Sequence, residues 1–196
     1  TQSALLEAMQ ESQVTIEGDT RALPRPFMVL ATQNPVEQAG TYPLPEAQID
    51  RFLLRILIGY PSAEEEHAIL ERFSRPTSAI AGVLSPEEIL ALQEMVNLVH
   101  AEQAIIDYVV RLTTYTRKHQ RVFLGASPRA SLALLQASKA LALLSGRAFV
   151  LPDDVKHLAP AVLSHRIILT PEAQMEGAQG ETIIREALDK VAHRPA

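Results

Sequence analysis

The amino-acid sequence predicts an α/β unit over residues 1–61, followed by an all-α unit over residues 62–196. Three observations predict this division. Phe27 to Ala31 is a continuous apolar run, which is typical of a strand covered on both faces in a mostly parallel sheet. Near Pro61 the strand-like patterns give way to helical ones. After that point, serine caps and apolar stripes at helical spacing predict helices through most of the remaining chain.

The first unit is predicted to begin with a helix and a hairpin. Apolar residues between Ser3 and Gln10 have helical spacing. Val14 and Ile16 then alternate with polar residues up to Glu17-Gly18-Asp19, a change to the two-residue period of a strand that turns back on itself. We expect either an exposed hairpin without a special role or one that contacts partners.

Polar residues come directly after the predicted strand at Phe27 to Ala31. The tripeptide Thr32-Gln33-Asn34 lies where open α/β sheets bind ligands, and Pro35 ends the strand so that Asn34 faces the crevice. After a loop rich in Gly and Pro, Glu46 to Phe52 is predicted as a short helix. Leu53 to Ile58 is then predicted as a second apolar strand.

The second unit contains two serine caps. Ser62 precedes Glu65 by three residues, and Ser85 precedes Glu88 by three, which is the spacing of the capping box. In that motif each side chain satisfies a backbone N–H that has no partner within the helix. The first of these helices is predicted to run to about Phe73.

Apolar patterns predict the remaining helices of the second unit. Ser131 to Ser145 is apolar nearly all round, as expected of a helix at the centre of a bundle. The other predicted elements are a helix with a buried stripe at Ile89, Leu92, Val96 and Val99, a helix from about Ile105 to His119, a helix starting at Pro152, an extended segment His165 to Leu169, and a last helix with Ile184, Ala187, Leu188 and Val191.

Composition excludes several classes of function. The chain has no cysteine, so disulfides and thiolate chemistry are excluded, and this suits a reducing cytoplasm. Its net charge is −5 with scattered Lys and Arg, whereas nucleic-acid binding needs clustered positive charge. No apolar run approaches the roughly 20 residues of a membrane span. The six histidines are scattered, and neither H-E-x-x-H nor G-x-S-x-G occurs. Protein partners are therefore expected rather than nucleic acid, membrane or metal.

Four motifs give the chain a resemblance to a known family. The segments ATQNP at 31–35, GTYPLPEAQIDRF at 40–52, LLEAMQE at 5–11 and GASPR at 125–129 resemble the MoxR branch of the AAA+ ATPases. The resemblance implies the carboxyl-terminal part of a P-loop-type α/β core followed by a helical lid. The sequence has no G-x-x-x-x-G-K-[ST] loop (Walker A) and no apolar strand ending in Asp-Glu (Walker B). It begins with Thr1, so we expect a piece of a longer protein.

Asn34 and Arg129 are candidates for contact with a phosphate. The Asn34 amide can donate to a phosphate oxygen and accept from a water, and the resemblance implies the sensor-1 role. Ser127 and Pro128 suit the start of a helix, which places Arg129 in a first turn where the helix dipole disfavours a cation unless an anion is near. The resemblance implies the sensor-2 role for Arg129. The alternatives are a strand-end cap for Asn34 and a surface ion pair for Arg129.

Arg51 is the third candidate. The resemblance implies that it reaches the γ-phosphate bound by a neighbouring subunit, where an arginine stabilises the charge of the transferring phosphoryl group. The alternative is a structural role in a pair with Asp50. Neighbours in sequence do not face each other on a helix, so that alternative requires a different partner.

The resemblance also implies the function of a longer protein. It implies a ring, expected to be a hexamer, that uses ATP and Mg²⁺ for chaperone-like remodelling or maturation of client proteins in the cytoplasm. A partner with a von Willebrand factor A domain is often found beside such ATPases. Two alternatives remain open: a non-catalytic helical scaffold or binding module, and a DNA-associated regulator of the related magnesium-chelatase or helicase branch. The chain alone, without the phosphate-binding loop, is expected neither to bind ATP tightly nor to hydrolyse it.

Overall fold

The structure is a computed structural model, which describes residues 2–33, 45–74 and 80–193. Within these residues it contains nine α-helices, one 3-10 helix and four short strands, the strands forming two separate two-stranded sheets. In chain order the elements are α1 Gln2–Glu11, β1 Gln13–Ile16, β2 Asp19–Ala22, α2 Glu46–Ile49, α3 Ala63–Phe73, α4 Pro86–Leu98, α5 Gln103–Lys118, β3 Val122–Leu124, α6 Pro128–Leu144, α7 Pro152–Leu163, the 3-10 helix Ser164–Arg166, β4 Ile168–Leu169, α8 Pro171–Met175 and α9 Gly180–Lys190.

The predicted helix and hairpin at the start of the chain are confirmed as α1, β1 and β2. The two strands pair antiparallel around Glu17 and Gly18, whose φ angles are 53° and 90°. Positive φ at both central residues is what a two-residue type I′ turn requires. The Glu7 carboxylate accepts two hydrogen bonds from Thr15, one from the side-chain Oγ1 at 2.6 Å and one from the backbone N–H of Thr15 at 3.2 Å. The hairpin is therefore held against α1.

The two apolar runs predicted as strands are not strands in the structure. Residues 27–31 and 53–58 have no β-pairing, and their side chains include Leu30 at 84% and Ile58 at 92% exposure. A strand is stable only when a neighbouring strand satisfies its backbone N–H and C=O groups. No strand among the described residues lies beside either run. The sheet of the predicted α/β unit is thus not formed within the part of the chain that the structure describes.

The predicted short helix before the second run is shorter than expected. α2 ends at Ile49, and the chain continues through a turn at Asp50 and Arg51. Two backbone hydrogen bonds shape this turn, from Arg51 N–H to Gln48 C=O at 3.2 Å and from Phe52 N–H to Ile49 C=O at 3.1 Å. Arg51 is therefore presented by a turn rather than by a helix.

The apolar core lies among α5, α6, α7 and α9. Its fully buried large side chains include Tyr108, Leu112, Leu134, Val162 and Ile184. α6 packs against α4, α5 and α7, so its predicted place at the centre of the bundle is confirmed. Two apolar residues of α6, Leu132 and Leu144, are nevertheless exposed.

Both predicted capping boxes are present. Ser62 Oγ accepts from the Glu65 N–H at 3.3 Å, and the Glu65 carboxylate accepts from the Ser62 N–H at 2.8 Å. The corresponding distances for Ser85 and Glu88 are 3.2 Å and 2.6 Å. α3, which follows the first box, has no buried residue, so local capping rather than core packing determines where it begins.

α4 lies at the edge of the bundle. Of its predicted stripe, Ile89, Leu92 and Val96 are half-buried, and Val99, just after the helix, is buried. The stripe therefore faces the core as predicted, but only its last residue enters the core.

The predicted extended segment from His165 to Leu169 is only partly a strand. Its first residues belong to the 3-10 helix that continues α7, and β4 is limited to Ile168–Leu169. β4 pairs antiparallel with β3, a strand that the sequence patterns did not predict, and α8 was not predicted either. The small sheet joins the loop before α6 to the segment after α7.

Candidate functional site

Arg51 and Arg129 lie on the same cleft of the structure. The cleft has a volume of about 410 Å³ and is lined by Met9, Glu11, Arg51 and Arg129. It is formed where α1, the turn after α2 and the start of α6 meet. Two cationic side chains that are far apart in sequence therefore face one concave surface, on which Glu11 is the one carboxylate among the described lining residues.

The start of α6 has the local structure that the sequence predicted. Ser127 is the N-cap, with its Oγ accepting from the Ala130 N–H at 3.3 Å, and Pro128 is the first helical residue. Arg129 follows in the first turn and is exposed. A cation here opposes the helix dipole, while the free N–H groups of the turn attract anions. This arrangement suits an anionic ligand.

The loop before α6 is fixed to α5. The Ala126 N–H donates to Thr116 Oγ1 at 3.0 Å, and Arg117 Nε donates to the Ala126 C=O at 2.7 Å. Gly125 packs so closely that an added Cβ would lie 2.6 Å from Arg117 Cα. These contacts determine where the first turn of α6, and hence Arg129, is placed.

Arg51 has free hydrogen-bonding capacity. Its Nε and Nη1 atoms are buried, and neither has a hydrogen-bond partner among the described residues. Guanidinium N–H groups can only donate, so this side chain retains donor capacity for an acceptor such as a phosphate oxygen. The alternative of an Asp50–Arg51 pair has no support within the described residues, because the Asp50 carboxylate contacts Ser127 Oγ at 3.4 Å and Arg166 Nε at 3.6 Å instead.

Two neighbouring residues that sequence reasoning missed, His165 and Arg166, support this turn. Both side chains contact the carbonyl group of Phe52, and Arg166 also faces Asp50. Burial lowers the pKa of Arg166, Asp50 opposes that change and Arg129 adds to it. Burial is also the main reason why the pKa of His165 is lowered.

A signal for these two residues exists in the sequence. Ser164-His165-Arg166 interrupts an apolar segment, with Val162-Leu163 before it and Ile167 to Leu169 after it. Charged residues are almost never fully buried unless they are paired, so a basic residue in such a segment indicates a buried partner. The pattern alone does not identify that partner as the turn after α2.

Asn34 lies outside the described residues, so its sensor-1 role stays a prediction. Gln33, the last described residue before it, is exposed. The structure therefore brings together two of the three candidate residues, Arg51 and Arg129, and does not place the third.

The described residues fit phosphate oxygens better than they fit a metal ion. They contain no group of three or more His, Asp or Glu side chains arranged to hold a metal. Mg²⁺ in nucleotide sites is bound by carboxylates together with phosphate oxygens and water, and Glu11 is the single carboxylate on this cleft within the described part of the chain. The guanidinium groups of Arg51 and Arg129, which line the cleft, instead fit an anion.

A second cleft, of about 470 Å³, lies near the carboxyl-terminal ends of α5 and α9. Of its charged groups, all but Lys118 form an ion pair within the described residues. His119 and Lys190 contact Glu186 at 3.2 Å and 3.9 Å, and Arg121 contacts Glu176 at 3.3 Å. With most of its charged groups already in ion pairs, this cleft is a weaker candidate for an anion. No helix in the described ranges is long and apolar enough to cross a membrane.

Two family models match the chain. The model described as the ATPase family associated with various cellular activities (AAA) matches residues 1–54, and the model described as the AAA lid domain matches residues 114–187. The first range contains Asn34 and Arg51, and the second contains Arg129 and Arg166.

Curated proteins and solved structures are also similar. The chain is 50% identical to the uncharacterized protein YeaC of Bacillus subtilis over 193 residues, covering 97% of this chain and 60% of YeaC. It is 47% identical to Chaperone MoxR1 of Mycobacterium tuberculosis over 202 residues, covering 97% of this chain and 53% of MoxR1. The crystal structure of a protein from Cytophaga hutchinsonii, provisionally assigned as an ATPase, superposes on this chain with a TM-score of 0.92 and is 42% identical in sequence. The match covers 97% of this chain and 61% of that protein. The chain thus spans little more than half the length of these relatives.

Proposed function

Over the residues that it contains, the chain belongs to the MoxR-type AAA+ ATPases, and on that premise we propose that it supplies the phosphate-contacting arginines and the lid of an ATP-hydrolysing protein. The observation that carries the proposal is that Arg51 and Arg129 line one cleft. Guanidinium groups beside a helix N-terminus suit the oxygens of a phosphate. We assign residues 1–61 to the carboxyl-terminal part of the AAA+ core and residues 62–196 to the lid.

Each candidate residue has a distinct role in this proposal. Bound ATP with Mg²⁺ would supply the phosphoryl group that is transferred to water. Arg129 holds the nucleotide phosphates from the first turn of α6. Arg51 donates to the phosphoryl oxygens, on which charge is spread in the transition state. Asn34 orients the attacking water.

The shared cleft bears on which nucleotide each arginine contacts. Because Arg51 and Arg129 face the same cleft of one chain, we propose that they act on the same phosphate group. In a ring, that phosphate belongs to the nucleotide held by the neighbouring subunit. An arginine supplied in this way allows hydrolysis only when two subunits are correctly apposed.

We further propose that the whole protein forms a hexameric ring that remodels client proteins in a chaperone-like manner. A relative with 47% identity carries the name Chaperone MoxR1, which supports this proposal. In such a ring, the lid transmits the nucleotide state because it holds the turn that carries Arg51. A partner with a von Willebrand factor A domain is proposed from the family resemblance.

Arg51→Ala in the native protein that contains this chain tests the role of Arg51. We expect the dissociation constant for ATP to stay within about threefold of wild type while turnover falls about 10³-fold, because the interaction matters mainly in the transition state. Arg51→Lys should not restore turnover, since an ammonium group lacks the planar fork of a guanidinium. Arg185→Ala is the matched control, because Arg185 is an exposed arginine paired with Glu181 on α9. Turnover of Arg51→Ala within tenfold of wild type would contradict the proposal.

Mixed rings test which nucleotide the arginines serve. Arg51→Ala subunits mixed with subunits that cannot bind ATP should regain turnover, because an intact Arg51 then meets nucleotide bound by the variant subunit. Arg51→Ala mixed with Arg129→Ala should regain none, because every site lacks one arginine if both act on the same phosphate. Recovery in this second mixture, with co-assembly verified, would mean that the two arginines serve different nucleotides.

A further inference from the structure

The carbonyl group of Phe52, the residue after Arg51, accepts two hydrogen bonds from side chains of the 3-10 helix. Arg166 Nη2 donates to it at 2.8 Å, and His165 Nε2 lies 3.0 Å from it. A backbone carbonyl offers two lone pairs and no proton, so the two contacts saturate it and Nε2 of His165 must carry a hydrogen. The backbone on the carboxyl side of Arg51 is therefore fixed by two consecutive residues of the lid.

The side chain of Asp50, on the other side of Arg51, contacts the same lid residue and the start of α6. Its Oδ1 lies 3.6 Å from Arg166 Nε, and its Oδ2 accepts from Ser127 Oγ at 3.4 Å. Ser127 is the N-cap of α6, two residues before Arg129. A short chain of polar contacts therefore joins the turn of Arg51 to the helix start that carries Arg129, with Arg166 contacting both flanks of Arg51.

Arg166 is a costly residue for this location. Its side chain is 2% exposed, and its Nε and Nη1 have no hydrogen-bond partner in the part of the chain that the structure describes. Burying a guanidinium with incomplete partners is unfavourable, and a well-packed apolar residue often stabilises such a location as well or better. Contribution to stability is thus a poor explanation for an arginine here, whereas a need for fixed geometry at Phe52 and Asp50 explains it.

We propose that Arg166 is a positioning residue for Arg51: it ties the turn of Arg51 to the lid, so that the location of the lid determines how far Arg51 reaches toward a phosphate. His165 assists through the same carbonyl group. This inference rests on the proposed role of Arg51. It makes the lid and Arg51 one mechanical unit, because the turn is attached to the 3-10 helix through Phe52 and Asp50.

The test uses Arg166→Gln in the native protein that contains this chain. A displacement of the order of 1 Å at a catalytic group can cost about 10²-fold, so we expect turnover to fall at least about tenfold while the ATP dissociation constant stays within about threefold. Arg166→Lys should be intermediate, because an ammonium group can serve the Phe52 carbonyl but cannot span it and Asp50 together. Arg185→Gln, at an exposed arginine, is the matched control and should leave both quantities unchanged.

Two further measurements separate positioning from general loss of structure. The Arg55 N–H donates to the Ala161 C=O of α7 at 2.9 Å, so its hydrogen exchange reports whether the turn stays attached. We expect the Arg55 N–H to exchange faster in Arg166→Gln than in wild type, whereas the exchange rates of the α6 amides should stay unchanged. In an Arg51→Ala background, Arg166→Gln should cause no further loss of turnover, because residues that act as a unit are not additive.

Asp50→Asn is a second variant in case Arg166→Gln does not fold. This variant keeps the shape of Asp50 but removes the charge that faces Arg166. As in Arg166→Gln, turnover should fall and the hydrogen exchange of the Arg55 N–H should become faster. The inference would be overturned if the hydrogen exchange of the Arg55 N–H were the same in Arg166→Gln as in wild type. It would also be overturned if Arg166→Gln lowered turnover by the same factor in the wild-type and Arg51→Ala backgrounds. If Arg51→Ala lowers turnover and Arg166→Gln does not, this inference alone fails; if Arg51→Ala has no effect, both proposals fail.

Discussion

Gly125→Ala should destabilise the protein through one steric clash that the structure locates. An added Cβ would lie 2.6 Å from Arg117 Cα, whereas ordinary contacts begin near 3.4 Å, so the loop and α5 must separate by about 0.8 Å. Overpacking of this kind costs about 2 kcal/mol. The φ of Gly125 is outside the left-handed region, so the cost arises from the clash alone.

The assay is urea denaturation of the chain, monitored by circular dichroism. With a slope of about 2 kcal/mol per M, the midpoint should fall by about 1 M. The matched control is Gly82→Ala, where the added Cβ has nothing within 4 Å and φ is not left-handed. It should change the free energy of unfolding by less than about 0.5 kcal/mol.

The clash has a functional consequence as well. The loop that contains Gly125 leads into the first turn of α6, so separation from α5 displaces Arg129. In the native protein, ATP turnover should therefore fall by at least about tenfold. If Gly125→Ala unfolds at the same urea concentration as Gly82→Ala, the contact between this loop and α5 is looser than the structure implies, and the argument that it fixes Arg129 is refuted.

Two further predictions concern stability. Burial alone would raise the pKa of Asp154, but the Arg147 guanidinium, at 2.6 and 2.8 Å, holds it below its usual value. Asp154→Asn should cost about 2 kcal/mol at pH 7. The pKa of Asp154 is lower in the folded state than in the unfolded state, so the difference in unfolding free energy between wild type and Asp154→Asn is fully present above the unfolded-state pKa of about 3.9. It disappears as pH falls through the folded-state pKa. Urea titrations at several pH values measure this difference, with a substitution of the exposed Asp153, Asp153→Asn, as the control. Ser85→Ala should cost about 1 kcal/mol by removing the cap of α4, and an equal midpoint in urea would contradict the Ser85–Glu88 capping box.

Sequence reasoning succeeded where the determinants of structure are local. A capping box is complete within four residues, so Ser62 and Ser85 predicted the starts of α3 and α4 closely. The hairpin around Glu17 and Gly18 joins neighbouring segments, and the change to a two-residue period predicted it. Stripes at helical spacing also identified α5 and α9, because core-facing residues recur along a single helix, and the nearly all-round apolar segment 131–145 identified α6.

It failed where structure depends on distant partners. The apolar runs 27–31 and 53–58 have the composition of buried strands, but a strand requires hydrogen bonds from another segment, and none of the described residues provides them. The candidate site shows the same limit. Arg51 and Arg129 were predicted one at a time, each from its own motif, and only the fold places them on one cleft. Arg166 was missed because its partner lies in a different part of the chain.

The exposed apolar runs determine how the isolated polypeptide behaves in solution. Extended segments without a neighbouring strand are templates for strand addition between molecules, and exposed apolar side chains such as Leu30 and Ile58 favour such contacts. The purified chain should therefore self-associate with increasing concentration, whether or not nucleotide is present. We expect this association to persist in a variant with Leu30 and Ile58 unchanged and to weaken when both are replaced by serine.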